Sequence, residues 1–546
     1  MATTHAPIPL TLTHFWRALM SSKTWTLIAA VLGSSVVFLD SSVLPVALEA
    51  IGREDRLFVS VLEGQNYIQY GYLLSLSAFL VLAGALSDYF GRRRVFVIGL
   101  IGFGITSLLC ALAPNLEVLI LARILQGASG AVLVPGSLAI LTNNFEGEEQ
   151  GRAFGIWAAA SGVAPILGPF VGGILVDELS WRWIFLLNLP FIALAVWAAQ
   201  RHTLESRDEE ASRHFDWLGS VFVVLSVGGL SFGAIYGQQR QWQDPVAFVA
   251  LGVGVLATAA MPIYFARVRH PLIPLRMFRS RNFTVTNIST LLIYGSLYVL
   301  ALFQPIFMLG TLGYTPPAVG LGSIPGPLFL VFLSTRFGTL ASRYGPRVFM
   351  TVGPLIMAAG VLWLARVPAD SEPWQLRLSD PSTYLPSTGY LVDFLPASLL
   401  FGFGLAVMVA PLTTALMRSV PARQAGLASA INNAISRVGP QLAGALIFVI
   451  VTASFYSSLA ARVPGLDVSS AEVRAAIPPL NRPEPTVPRE IVTAAREAST
   501  EAFHLAMLTA AGLLVAGAGA NGLWISNRQA LSATRTQVPG LSPEPG

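Results

Sequence analysis

The chain has almost no lysine, almost no cysteine and little charge of either sign. Lys23 is the single lysine among 34 basic residues, Cys110 is the single cysteine, and charged residues make up 12% of the 546. One cysteine excludes an intramolecular disulfide, and Cys110 lies inside an apolar run where a packing role is the default. A nucleotide-binding P-loop needs G-x-x-x-x-G-K-[ST], and Lys23 has no glycine upstream in register, which excludes an ATP-driven pump within this chain. The six histidines (His5, His14, His202, His214, His270 and His504) stand alone in termini, loops or at the edge of an apolar run, with no H-E-x-x-H. Neither a zinc hydrolase nor another metal site is expected from them. Gly99, Gly102 and Gly104 read as helix-packing glycines and not as a dinucleotide loop. A soluble domain carries roughly 25% charged residues. Half that share leaves too little polar surface to cover a soluble particle of this size.

What the chain does have is apolar length. Hydrophobic residues make up 54%, the mean hydropathy is +0.64, and charges cluster between apolar stretches long enough to cross a bilayer. Windows of about 19 residues predict an all-α integral membrane protein with fourteen spans. They fall at 25–48, 66–87, 94–113, 116–143, 151–176, 181–199, 217–237, 245–266, 282–308, 318–341, 347–365, 389–417, 424–453 and 502–526. The first run is long enough to span, carries Asp40 and lacks an A-x-A-like site, so no cleaved signal is expected. An even number of spans puts both ends on one side. If the loop after the second span faces the cytoplasm, the inner loops hold seventeen arginines and the outer loops eleven, including five in the long outer loop 455–501. Basic residues are retained on the cytoplasmic side, so both termini are expected there. The formal charge of +5 is therefore a topology signal and not a nucleic-acid footprint. Loop 455–501 is rich in proline (Pro478, Pro479, Pro483, Pro485, Pro488) and becomes helix-compatible from Arg489. It reads as a flexible outer cap, with a partner-docking surface as the alternative. The tail after Asn527 reads as disordered.

Four stretches carry chemistry. The first is Gly84-Ala-Leu-Ser-Asp88-Tyr-Phe-Gly91-Arg92-Arg93-Arg94-Val95 between the second and third spans. Gly84 permits close helix approach and Gly91 relaxes the turn. Asp88 falls at a helix C-terminus, where the dipole disfavours an anion, so it needs a cation or a helix N-terminus from elsewhere. A second copy, Gly338-Thr-Leu-Ala-Ser342-Arg343-Tyr-Gly345-Pro-Arg347, keeps the glycines and arginines but has no acid at the Asp88 position, which predicts a weaker junction. The second stretch is the fifth span, with Gly151, Gly155, Gly162, Gly168, Pro169, Gly172 and Gly173. Ala160, Ala164, Gly168 and Gly172 recur every four residues and make one smooth face for close crossing, while Pro165 and Pro169 can bend the helix.

The third is Asp40, about 16 residues and so roughly 24 Å into the first span. A carboxylate there is protonated, paired or water-facing, which makes it a candidate proton carrier or, alternatively, a structural hydrogen-bonding acid. In the fourth, Leu121-Ala-Arg123-Ile-Leu-Gln126-Gly127-Ala-Ser-Gly130, Arg123 shares a helix face with Gln126, Gly127 and Gly130 and wants an acid or water. Arg123 is expected to face the same cavity as Asp40. Further residues that can line a cavity are Gln126, Trp157, Tyr294, Tyr298, Gln304, Asn433 and Arg437, the last two on a polar face with Ser429 and Gln441. Plain interhelical hydrogen bonding accounts for them equally well. Asp393, near an outer span end, can sit in headgroup water.

The loop Gly84 to Val95 matches the G-x-L-a-D-r-x-G-r-[KR] signature of the major facilitator superfamily, and Arg123 to Gly127 matches its R-x-x-Q-G element. Gly168-Pro169 with Gly172-Gly173 resembles the G-P-x-x-G-G motif of its drug:proton exchangers. Leu39-Asp40-Ser-Ser-Val-Leu-Pro45-Val-Ala47-Leu48 resembles the L-D-x-T-x-x-N-x-A-L-P element of the fourteen-helix branch. It departs from it at Pro45, where asparagine is usual, and at Glu49, where proline is expected. Asp216-Trp217-Leu-Gly219, Trp242 and Ala494 to Ala498 look like the extra helix pair and the run-in to the last span of that branch. The resemblance covers nearly the whole chain. It implies a cytoplasmic segment 1–24, a six-helix bundle 25–199, a linker with two extra spans 200–281, a second bundle 282–526 and a cytoplasmic tail 527–546. It also implies rocking alternating access, with Gly84, Asp88, Gly91 and Arg92 to Arg94 as the conformational latch and Asp40 with Arg123 in proton coupling. The expected activity is proton-coupled export of amphipathic or cationic drugs and similar small molecules across the cytoplasmic membrane. The energy comes from the proton gradient, with no cofactor and no catalysis, and the chain works as a monomer in lipid. A periplasmic adaptor is left open. The alternatives are an exporter, less readily an importer, of a dedicated metabolite, lipid or antibiotic, and more remotely a non-transporting sensor or scaffold.

Overall fold

Every long apolar run becomes a helix, because a backbone in hydrocarbon must satisfy its own polar groups. The computed structural model describes residues 21–52, 61–207, 215–239, 242–377 and 380–527. Along the chain run α1 (Ser22–Gly52), α2 (Val61–Phe90), α3 (Arg92–Ala111), α4 (Leu116–Asn144), α5 (Gly147–Glu178), α6 (Trp183–His202), α7 (Trp217–Gln239) and α8 (Pro245–Arg267). They continue as α9 (Arg281–Leu312), α10 (Pro316–Tyr344), α11 (Arg347–Leu364), α12 (Tyr390–Arg418), α13 (Ala422–Arg462) and α14 (Arg489–Trp524). Thirteen of these are long and apolar enough to cross a membrane among the described residues. The remaining one, α5, has 32 residues and packs lengthwise between α1 and α10, so it spans with them. Ile98, Ile105 and Leu112 of α3 are exposed at seven-residue spacing, a lipid-facing stripe. Helix boundaries follow local chemistry. Asn115, Asp244 and Ser280 cap α4, α8 and α9 through side-chain acceptors, and Gly91 and Gly345 turn the chain at φ 110° and 86°.

Helices α1–α6 form one bundle and α9–α14 the other; the apolar core of the first continues across the seam into Leu416, Leu427, Ala428 and Ile431 of the second, which has a further core of its own. The bundles meet where α2 and α4 pack on α13, and where α5 packs on α10 and α12. The inserted pair α7–α8 packs on itself, and α7 lies along both α2 and α13. Asp216 fastens this pair by accepting from the Gly219 amide (2.8 Å), the Tyr264 hydroxyl (2.7 Å) and the Leu272 amide (2.9 Å).

Two sequence expectations change. Helix α13 runs on to Arg462 and α14 begins at Arg489, well beyond the predicted 453 and 502. Their charged extensions were invisible to a hydropathy window but are helical because they pack together. The loop between them is consequently not a flexible cap. Arg462 binds Glu497 (3.1 Å) and Glu501, Thr311 donates to the Leu480 carbonyl (3.0 Å), Ser499 accepts from the Leu480 amide (3.2 Å), and Ile477 and Leu480 are buried. Expectations for residues 1–20 and for the tail beyond Asn527 lie outside the described residues, as do Arg53, Arg56, Arg213 and Arg240 of the loop comparison.

Candidate functional site

Asp40 and Arg123 are brought together. The Arg123 Nη1 lies 2.6 Å from Asp40 Oδ2, and the two side chains are 0% and 2% exposed. They do not face a shared cavity as expected but are enclosed inside the first bundle. Asp40 also accepts from Gln126 Nε2 (3.2 Å) and Asn188 Nδ2 (3.1 Å), while Gln126 Oε1 accepts from Arg123 (2.7 Å). Asn188 continues to Ser107 (3.1 Å), and the Arg123 guanidinium stacks over Tyr72 at 4.1 Å with Phe185 at 5.7 Å. The cluster therefore joins α1, α2, α3, α4 and α6. Gln126, expected on a substrate cavity, is fully buried here instead. Asn188, Ser107, Tyr72 and Phe185 escaped sequence reading, since single polar or aromatic residues in spans carry no local signal. Arg123 Nε and Nη2 find no hydrogen-bond partner, so the guanidinium relies on Asp40, Gln126 and the aromatic faces. Removing one partner of a buried ion pair costs about 3–5 kcal/mol because the other is left charged and desolvated. A proton on Asp40 does just that to Arg123.

The small-residue stripe of α5 sits beside this cluster. A Cβ on Gly168 would collide with Ser42 of α1, and one on Gly172 would lie 2.9 Å from Val43 Cγ1. Ser42 donates to Leu39 O (2.9 Å) and Ala164 O (3.3 Å), which ties α1 to α5 two residues from Asp40. Gly162 instead meets Leu330 of α10, and Gly173 meets nothing within 4 Å. Ala164, Gly168 and Gly172 of the four-residue repeat thus share the α1 side, while Gly162, outside that repeat, turns to α10. The side chains of Pro165 and Pro169 lie outside the described residues.

At the arginine-rich end the bundles are latched. Asp88 accepts from the amides of Gly426 (3.1 Å) and Leu427 (2.8 Å) in the first turn of α13, and pairs with Arg92 at 2.9 Å. Both the helix N-terminus and the cation that its position demands are present. Arg92 also donates to Asn143 (3.1 Å) and to the Ala422 carbonyl. A Cβ on Gly84 would press on Ala430 and come within 2.6 Å of Gly426 O. The second junction repeats this geometry: Gly338 of α10 lies on the Gly151 backbone of α5 as Gly84 lies on Gly426. Ser342, at the Asp88 position, bonds only within its own helix (3.1 Å to Gly338 O). Arg343 instead takes Glu148 across the junction, Nη2 to Oε2 at 3.0 Å, with both side chains more than half exposed. Arg418 adds a bond to Gly147 O (2.8 Å). Glu205, missed in the sequence, accepts from the Arg93 (3.0 Å) and Arg94 (3.1 Å) amides and fixes the start of α3.

The Arg343 hydrogen bond holds the Glu148 carboxyl below its ordinary pKa. A lowered folded value means that the pair is formed above the ordinary carboxylate range and lost as pH falls through the lowered value. Because solvent screens it, Glu148→Gln is expected to leave dye-efflux rates within wild-type scatter. A large loss in an efflux assay would show this exposed pair to be a principal latch.

The other cavity candidates scatter. Trp157 is buried and donates to Ser137 (3.0 Å), Asn433 bonds back to Ser429 O (2.9 Å), and Tyr298 packs on Gly444. Tyr294 is partly buried on α9, and Asp393 is buried and held by Ser371 (2.7 Å), not in headgroup water. Gln304 lines a cavity of about 380 Å³ in the second bundle, walled by Leu300, Val319, Val361 and Phe401 with Ser323 and Ser398 as its polar points. That apolar chamber with few polar groups suits a drug-sized ligand. Arg437 is partly buried and makes no hydrogen bond or ion pair among the described residues. No group of three or more metal-ligating side chains occurs among the described residues.

A sequence model of the Major Facilitator Superfamily matches residues 30–445. The chain belongs to that superfamily. Among its superfamily relatives, multidrug resistance protein Stp of Mycobacterium tuberculosis (strain CDC 1551 / Oshkosh) is 32% identical over 80% of this chain and 77% of Stp. Puromycin resistance protein pur8 of Streptomyces alboniger is 32% identical over 80% and 83%, and multidrug export protein EmrB of Haemophilus influenzae is 30% identical over 74% and 76%. Its fold is also that of an auto-inhibited POT family peptide transporter (TM-score 0.54, 14% identity, 96% of this chain and 99% of that one). The human organic anion transporter MFSD10 has the same fold (TM-score 0.51, 16% identity, 90% and 98%). The protein is therefore a multi-span membrane protein of a transporter family.

Proposed function

We propose that this transporter exports amphipathic drugs and similar small molecules across the cytoplasmic membrane in exchange for protons, with no cofactor and no catalytic chemistry. The observation that carries the reading is the Asp40–Arg123 pair, an ion pair sealed in hydrocarbon inside a family member whose relatives are named for multidrug resistance and export. In this reading the arginine-rich end and both termini are cytoplasmic, and the latched arrangement is open towards the outside. A proton from outside neutralises Asp40 and leaves Arg123 without its counter-charge, which loosens the packing of the first bundle around them. Protonation and substrate binding shift the balance between the two arrangements only as far as each favours one of them. The transporter works as a monomer surrounded by lipid.

Dye efflux from cells lacking endogenous pumps tests this. Expulsion is expected to stop when a protonophore is added, and adding substrate to acid-loaded vesicles is expected to release protons. Efflux that continues undiminished with the gradient collapsed would remove the antiport scheme. A second reading, export of one dedicated antibiotic, draws on the single-compound names of relatives such as pur8 and the tetracenomycin C resistance and export protein. If it holds, one antibiotic will compete with transport while a panel of dyes will not.

A further inference from the structure

Helix α13 faces α2 through Gly426 and Ala430, both of which touch Gly84. Arg437 follows Ala430 by two helical turns and so lies on the same face, at the seam between the bundles. The two helices run antiparallel along this seam. From Gly426 to Arg437 is about 16 Å, and from Gly84 back to Tyr72 about 18 Å, at 1.5 Å per residue. Arg437 and Tyr72 therefore lie at one depth near the middle of the membrane. Behind Tyr72, 4.1 Å from its ring, stands Arg123.

The charge balance at this depth is uneven. Asp40 is neutralised by Arg123. Asp88 is taken by Arg92 and by the α13 N-terminus, a full three turns away. Asp393 is buried against Ser371 at the opposite end of the second bundle. Among the described residues Arg437 has no hydrogen bond and no ion pair, and it is only partly buried. Its helix neighbours offer hydroxyls and an amide (Ser429, Asn433, Ser436) but no carboxylate. A guanidinium in a membrane span without a partner is costly unless water or an anion meets it, and its planar fork is shaped for a carboxylate.

We infer that Arg437 anchors a carboxylate of the transported molecule, so that the favoured cargo is an amphipathic acid or zwitterion and not a bare cation. The inference rests on the export reading for its setting, but binding alone tests it. Rhodamine 110 and its methyl ester, rhodamine 123, share one ring system and differ at the carboxylate. Fluorescence anisotropy with the purified full chain in detergent measures binding of each dye, and proteoliposomes with an imposed pH gradient measure transport. Wild type is expected to bind the acid at least about tenfold more tightly than the ester, the size of a charge-assisted hydrogen bond. Arg437→Gln is expected to abolish that ratio and Arg437→Lys to restore part of it, with thermal melting confirming that each variant is folded. A ratio near one in wild type, a preference for the ester, or an equal ratio in wild type and the folded glutamine variant would overturn the assignment. Arginine-dependent binding of the acid without gradient-driven movement of either dye would overturn the export reading and leave the assignment standing. Gradient-driven movement of the ester with no acid preference would do the reverse.

Discussion

Asp40→Asn is expected to abolish gradient-driven efflux while leaving a folded, less stable protein. The asparagine keeps the shape of the carboxylate but not its charge, so Arg123 is left desolvated with only Gln126 and the faces of Tyr72 and Phe185. That costs about 3–5 kcal/mol, comparable to a large share of the stability of a typical domain. The variant should therefore melt earlier as well as fail to couple. The double variant Asp40→Asn with Arg123→Gln separates the two effects. It removes both charges, which in a buried pair is close to neutral for stability, so melting is expected to recover while coupled efflux stays lost. Measuring melting temperature and pH-gradient-driven dye efflux for the three proteins decides the matter. Full coupled efflux in Asp40→Asn would show that the proton travels elsewhere.

The second large effect is expected at Gly84. Valine there puts a Cβ onto Ala430 and within 2.6 Å of the Gly426 carbonyl, which belongs to a helix backbone and has little room to yield. Overpacking of this kind costs about 1–3 kcal/mol, and here the cost falls only on the form in which α2 and α13 touch. The arginine-rich end is expected to spring open. A cysteine introduced at Asn433, seven residues on from Gly426 and so on the seam side of α13, should then react with a membrane-impermeant maleimide supplied from that end, and efflux should fall. Gly252→Val is the matched control, because a Cβ at Gly252 meets nothing within 4 Å. Equal labelling in the Gly84 variant and the control would show that this crossing does not hold the bundles together.

How far each of these sites was legible depends on the range of the interaction. Asp88 was readable because an anion at a helix C-terminus is a local contradiction, and the dipole argument named the kind of partner that α13 supplies. Asp40 and Arg123 announced themselves as charges in apolar runs, but their enclosure did not. Burial at that point is set by Asn188 and Phe185, 148 and 145 residues along the chain from Asp40, and no spacing rule links them. The four-residue repeat of α5 was legible for Gly168 and Gly172, but the neighbours of the remaining glycines were not. Gly151, Gly155 and Gly162 turn to α10 while Gly168 and Gly172 turn to α1, a division that only the neighbours reveal. The extension of α13 was missed, and that of α14 from Arg489 was read only as helix-compatible and left out of the span, for a different reason. Hydropathy windows measure the affinity of a segment for lipid, whereas Arg462, Glu497 and Glu501 are helical in water through one another.

The placement of α7 along both α2 and α13 gives the transporter two unlike flanks. On that flank an extra pair of helices stands as a wall between the bilayer and the crevice, while on the other no further helix among the described residues stands in front of α5 and α10. A hydrophobic compound already dissolved in the leaflet would have to slip in sideways past α5 and α10, and bulky residues planted along that border would block membrane-borne cargo while sparing cargo that arrives from water.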